Sequence, residues 1–347
     1  MSGFLIVRLG ALGDIVHAVP VAAALRRAFP DARIDWVVAA KHAGLLALLS
    51  GLSGRIVLRP SSTGEGLSIT AALRTIRRAK YDVVLDLQGL IKSAVIARGS
   101  GAPRVIGFAS AYLREPLAGV FYTEQHDPSG DGMLASTERR HVVTINLGLL
   151  DRLGVPPAAP EFPFAVPASR VADDMREATG GRFALLNPGA AWPNKRWPAE
   201  RLALLATRLF ARHRLRSVVL WGPGERDLAE TIVAQSGGAA VMTPDTTFGD
   251  IMALARCADV MVSGDTGPTH IAAAIGVPIV GIYGPTRPER NGPWNSDDVT
   301  VSRAAACQCH HRRRCRATRW CLLDIEVEEV LSAVEQRLAK GGASHVG

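Results

Sequence analysis

The 347-residue sequence predicts an α/β protein of two doubly wound domains facing a cleft. Three observations carry that expectation. Short continuous runs of Val, Ile and Leu alternate with amphipathic helical stretches. The alternation runs twice along the chain. Between the two runs, residues 154–168 (GVPPAAPEFPFAVPA) hold five of the chain's 21 prolines.

In the first half, FLIVRL (4–9) reads as a buried strand. Ile15 to Phe29 follows as a helix, with Val16, Val19 and Ala23 at apolar positions. IDWVV (34–38) is a second strand and His42 to Leu49 a second helix. RIVL (55–58), a helix over 67–79 and DVVLD (82–86) continue the pattern. Strands that are apolar without alternation are covered on both faces, as in a parallel sheet. Proline removes backbone donors, so 154–168 reads as a stiff linker between domain 1–153 and domain 169–347.

The second half restarts the pattern with FALLN (183–187). A helix runs from Pro198 to about His213, then come SVVLW (217–221) and a helix over 226–236. ADVMVS (258–263), a helix opening at Pro268, VPIVGIY (277–283) and a last helix over about 325–340 complete it.

Composition limits the partners. Hydrophobic residues make up 48% and charged residues 21%, which excludes a disordered chain. Forty basic against 32 acidic residues leave a formal charge of +8, which suits an anionic partner (phosphate, acidic sugar, nucleic acid or membrane surface) without choosing among them. No stretch approaches the roughly 18 apolar residues of a membrane span, and the apolar run near the N-terminus ends at Arg8, too soon for a signal-peptide core. A cytosolic protein is expected. Nucleic acid is not, since no recognition helix or RNA-binding motif is present.

Four loops after strands offer chemistry. Gly10-Ala11-Leu12-Gly13-Asp14 follows the first strand. It lacks the third glycine of the dinucleotide fingerprint and the lysine of a P-loop. It supplies a carboxylate, Asp14, either as a helix cap or as a group facing the cleft. The loop 187–198 (NPGAAWPNKRWP) places Lys195 just before a helix, as a point charge for a phosphate or as a solvated loop residue. Gly222-Pro223-Gly224-Glu225 offers an acid for ribose hydroxyls. Ser263-Gly264-Asp265-Thr266-Gly267-Pro268-Thr269-His270 is the most informative. Pro268 opens a helix in its favoured first turn, and free N–H groups, a hydroxyl and the helix dipole converge on a site suited to a diphosphate.

These segments together resemble the ADP-heptose:lipopolysaccharide heptosyltransferases, GT-B glycosyltransferases of family 9. GALGDIVHAVP, NPGAAWPNKRWP and SGDTGPTHIAAAIGVPIVGIYGPT carry the likeness in order over most of the chain. DLQGLIKSAVIA (86–97) and LREPLAGVFY (113–122) are most similar to the heptosyltransferase I branch, which adds the first heptose to Kdo. The resemblance implies two Rossmann-like domains, the first for acceptor and the second for ADP-heptose. It implies an inverting transfer with no tightly bound catalytic metal, at the cytoplasmic face of the inner membrane, on a Kdo-lipid A type acceptor. By position, Asp14 would be the general base. Lys195, Thr266 and Gly267 would hold the diphosphate, supported by Asp265 and His270, with Gly13 also on the donor and Glu225 a ribose contact. Lys92 and Arg114 would face the acidic acceptor.

Cys307, Cys309, Cys315 and Cys321 crowd one segment. In a reducing compartment they point to a structural zinc, with His310 or His311 as substitute ligands, or to free thiols. From Arg303 to Arg319 there are six arginines and no acid, which suits acceptor phosphates or anionic lipid headgroups.

Overall fold

A computed structural model describes residues 3–59, 65–133, 135, 137–307, 309, 312–315 and 317–342. His310, His311 and Arg316 lie outside the described residues. The chain divides into two compact units, Met1–Ala165 and Val166–Gly347. The first unit thus takes in most of the proline-rich segment. Its backbone is held there: Ala165 N–H donates to the Leu48 carbonyl at 2.8 Å and Ser50 N–H to the Pro163 carbonyl at 2.9 Å.

The first unit has six parallel strands, β1 (Gly3–Val7), β2 (Arg33–Ala39), β3 (Gly54–Leu58), β4 (Val83–Asp86), β5 (Arg104–Phe108) and β6 (Glu124–His126), in the order β3-β2-β1-β4-β5-β6. The second repeats this topology with β7 (Phe183–Asn187), β8 (Arg216–Val219), β9 (Ala240–Met242), β10 (Val260–Gly264), β11 (Ile279–Tyr283) and β12 (Val299–Ser302), in the order β9-β8-β7-β10-β11-β12. Each sheet reverses direction of winding beside its first strand, at β1/β4 and β7/β10. Ligands of such sheets bind outside the carboxyl ends of the strands at that point.

The strand composition explains the two-sided burial. Along β7, Ala184 and Leu186 enter one core while Phe183 and Leu185 enter the other. Along β10, Val260 and Val262 oppose Met261 in the same way. Period-2 side chains with both faces covered must be apolar throughout.

Five of the helices connecting or covering these strands are α1 (Leu12–Ala28), α2 (Ile91–Gly99), α3 (Ala199–His213), α4 (Gly267–Ala274) and α5 (Val327–Gly342). Pro20 lies inside α1 and cannot donate to its ladder. One turn earlier, the His17 carbonyl accepts from the Asn146 amide at 3.1 Å. The predicted helix 42–49 is shorter than expected, a 3₁₀ turn Ala40–His42 followed by Ala43–Ala47. Strands β6, β9 and β12 have only three to four residues, too few to show a period in the sequence. Among the described residues no helix is long and apolar enough to cross a membrane.

Candidate functional site

In the first unit the loop after β1 brings Arg8 to Asp14. The guanidinium lies 2.6 Å from Asp14 Oδ2. Asp14 is the third residue of α1 and also accepts the Ala11 N–H at 3.1 Å. The carboxylate therefore caps its helix and keeps a charged partner, with its side chain still partly open to solvent. Gly13 sits beside it in the first turn.

The neighbouring loop after β4 is tied to this one. Leu9 N–H donates to Gln88 Oε1 at 2.6 Å, and Arg8 donates to the Leu87 carbonyl. Asp86 organises that loop from below. It is fully buried and accepts from Gln88 N–H, Ser93 Oγ–H and Tyr122 Oη–H, each at 2.9 Å. Burial raises its carboxyl despite these donors.

Lys92 and Arg114 are both exposed at one corner of this unit. Glu115 joins their elements, accepting the Ile91 N–H at 2.7 Å while its own N–H donates to the Gly89 carbonyl at 3.1 Å.

His42 was not legible as a site residue. It is buried against the Gly10 backbone, where a Cβ would stand 3.1 Å from Nε2. Neither ring nitrogen has a hydrogen-bond partner among the described residues. Burial, helped by Lys41 and opposed by Asp14, lowers its imidazole to about 4. Stability should therefore depend on pH. Between about pH 6.5 and 4 the unfolded chain takes a proton that the native state refuses, so stability falls as pH falls through that window. The penalty reaches about 3 kcal/mol at the acid end. Denaturant unfolding at pH 7 and pH 5 checks this: His42→Phe should gain on the wild type at the lower pH, and parallel losses in both proteins would refute it.

In the second unit, β7 and β10 are neighbours, with Asn187 in register with Ser263. The loops that leave them therefore meet. Asn187 Nδ2 donates to Ser263 Oγ at 2.9 Å and to Thr266 Oγ1 at 3.0 Å. Thr266 in turn lies 2.9 Å from Thr269 Oγ1. Lys195, from the β7 loop, places its ammonium 2.5 Å from Asp265 Oδ2. His270 Nε2 is 3.0 Å from Asp265 Oδ1. The buried carboxylate thus bridges a cation and an imidazole. Burial alone would raise Asp265, but the Lys195 charge and the His270 contact outweigh it and hold the carboxyl far below the usual range. The Lys195 ammonium also stands 4.4 Å over the Trp192 ring.

Thr266 is the N-cap of α4, with Gly267 and Pro268 opening the helix. The first-turn N–H groups of a helix have no intrahelical acceptor. They accompany the Lys195 charge at the same strand ends, which suits an anion.

Glu225 follows β8 at the start of the next helix. It accepts the Gly222 N–H at 3.1 Å, and Arg196 lies 3.7 Å from its other oxygen. A Cβ on Gly189 would stand 1.9 Å from the Glu225 carboxylate, so glycine is what lets the acid lie against the β7 loop. Asn187, Trp192 and Arg196 complete this corner and were not singled out from the sequence. Their positions flanking Lys195 in one Pro- and Gly-bounded loop were the available signal.

The four cysteines meet in two linked pairs. Cys307 and Cys309 sulfurs are 3.4 Å apart, Cys321 contacts Cys307, and Cys315 contacts Cys309. Burial raises all four thiols above their ordinary range. Among the described residues, no three His, Cys, Asp or Glu side chains surround a point that a metal ion could fill. His310 and His311, the substitute ligands of the zinc reading, lie outside the described residues.

The profile of glycosyltransferase family 9 (heptosyltransferase) matches residues 69–321. Lipopolysaccharide heptosyltransferase 1 of Pseudomonas aeruginosa is 28% identical over 321 residues, covering 90% of this chain and 86% of that protein. Among solved structures, a glycosyltransferase of family 9 from Veillonella parvula matches with a TM-score of 0.78 at 22% identity, covering 98% of this chain and 97% of that one. The heptosyltransferase WaaC of E. coli with ADP-2-deoxy-2-fluoro heptose matches with a TM-score of 0.70 at 23% identity, covering 98% and 99%.

Proposed function

The chain belongs to glycosyltransferase family 9 and has the GT-B fold; from that premise we propose that it moves heptose from ADP-heptose to the Kdo region of a lipopolysaccharide inner core, with inversion. The observation that carries the donor side is the Lys195–Asp265–His270 chain beside the α4 N-terminus. Such a site favours the charge that grows on a departing diphosphate. The solved relative with an ADP-heptose analogue supports the choice of nucleotide and sugar.

In this reading Asp14 takes the proton of the acceptor hydroxyl. The oxygen forms its bond to the anomeric carbon from the face opposite the diphosphate. The bond from that carbon to the phosphate oxygen breaks, and ADP leaves with the electron pair. One displacement inverts the centre. Arg8 keeps the Asp14 carboxylate oriented before the acceptor arrives. Lys92 and Arg114 offer two exposed cations to an acidic sugar. Protein acting on such an acceptor would work from the cytoplasm, peripherally at the inner face of the membrane.

The test is ADP release from ADP-heptose with and without a Kdo-bearing acceptor, run in excess chelator. Release that needs the acceptor and survives chelation is the expected result. Release from ADP-heptose that ignores the acceptor, or none at all, would overturn the assignment.

A further inference from the structure

We propose that α2 and the short 3₁₀ segment Pro116–Phe121 form the face with which the first unit sits on an anionic lipid bilayer, an inference that rests on the proposed membrane-lipid acceptor.

Folding has left a set of apolar side chains outside. Leu117 is 68% and Val120 75% exposed, and Ile91 and Val95 on α2 are also exposed. The two elements pack against each other. Their inward positions are filled: Ala94, Ile96 and Ala97 of α2, and Ala118 and Gly119 of the 3₁₀ segment, are buried. The exposed set therefore projects from two elements whose other faces are packed. Ile91 and Val95 are one helical turn apart, and Leu117 and Val120 stack one 3₁₀ turn apart. Neighbouring exposed apolar side chains of this size mark an interaction surface.

The surrounding charge selects the occupant. Between Leu90 and Phe121 the chain has four basic residues and one acid. The acid, Glu115, is engaged with the Ile91 N–H, and Arg104 is paired with Glu124. Lys92, Arg98 and Arg114 remain exposed around the apolar set. Arg77, from the helix Ile69–Ala79, joins them by donating to the Gly99 carbonyl at the far end of α2 at 2.8 Å. A hydrocarbon interior under a layer of phosphates complements both parts of this face, and stable peripheral anchoring needs both. The face begins where α2 leaves β4, at the same sheet edge where α1 leaves β1 with Asp14. A lipid-anchored sugar held there would meet the loop that carries the base.

Sedimentation of the full chain with phosphatidylglycerol–phosphatidylethanolamine vesicles tests the face. The protein should bind these and pass over neutral phosphatidylcholine vesicles. The double variant Leu117→Ser/Val120→Ser should bind the anionic vesicles at least tenfold more weakly. It should keep full transfer to a water-soluble Kdo acceptor while losing transfer to a vesicle-embedded one, which also shows that it folds. Unchanged vesicle binding in the double variant, or no binding by the wild type, overturns the proposal. So does binding that is lost only when Arg312, Arg313 and Arg314 are replaced by Gln, which assigns the contact to the arginine segment. Vesicle binding that depends on Leu117 and Val120 without heptose transfer to either acceptor would retire the assigned reaction and leave the docking face standing.

Discussion

Asn in place of Asp14 is expected to lower turnover by about 10²–10⁴-fold, the usual worth of a positioned general base. Donor binding should survive, because Asp14 makes its contacts in the first unit with Arg8 and the Ala11 N–H. Asparagine is the right probe. Its amide oxygen still accepts from Ala11, so the helix start is preserved while the proton acceptor is lost. Single-turnover measurements beside ADP titration separate the two effects. Full turnover in Asp14→Asn would remove Asp14 from the role of base; a matched loss of ADP affinity would indicate a collapsed loop instead.

The second large effect is expected at Lys195. Lys195→Ala leaves the Asp265 carboxylate buried with the His270 ring as its remaining side-chain partner among the described residues. Breaking a buried pair from one side typically costs about 3–5 kcal/mol, and on the proposed role of Lys195 the donor diphosphate should lose its cation as well. Asp265→Asn added to Lys195→Ala removes the stranded charge. The double variant should recover much of the stability and none of the ADP affinity. The pair also fixes a pH direction. Asp265 is held below its unfolded range, so its contribution is present at neutral pH and is lost as pH falls below about 4. A Lys195→Ala protein that keeps wild-type ADP affinity would take Lys195 out of the phosphate site.

Much of this was legible in the chain itself. The strand FALLN matches β7 residue for residue, and the helix from Pro198 begins one residue later at Ala199. Pro268 stands in the first turn of α4 because its missing N–H costs nothing there. From the sequence Asp14 is open between a helix cap and a group facing the cleft. The structure shows the capping contact, because its third-residue position reaches back to Ala11, and adds Arg8, the charge at the end of an apolar strand, as a partner from the other side. His42 gave no signal, since a histidine after a strand looks the same whether its nitrogens are partnered or bare.

What the sequence determined by itself is local: which stretches are apolar enough to be strands, where proline and glycine start and stop helices, and which loops carry acids, amides and cations. These depend on backbone geometry and burial over a few residues. Only the tertiary structure decided which loops meet. Asn187 and Ser263 are 76 positions apart, yet they share a register because β10 crosses over to lie beside β7. Strand order is set by how helices cover both faces of a sheet, an energy spread over the whole core and written in no single segment. The Lys195–Asp265 pair, the Glu225 carboxylate over Gly189 and the linked loops after β1 and β4 all depend on that order.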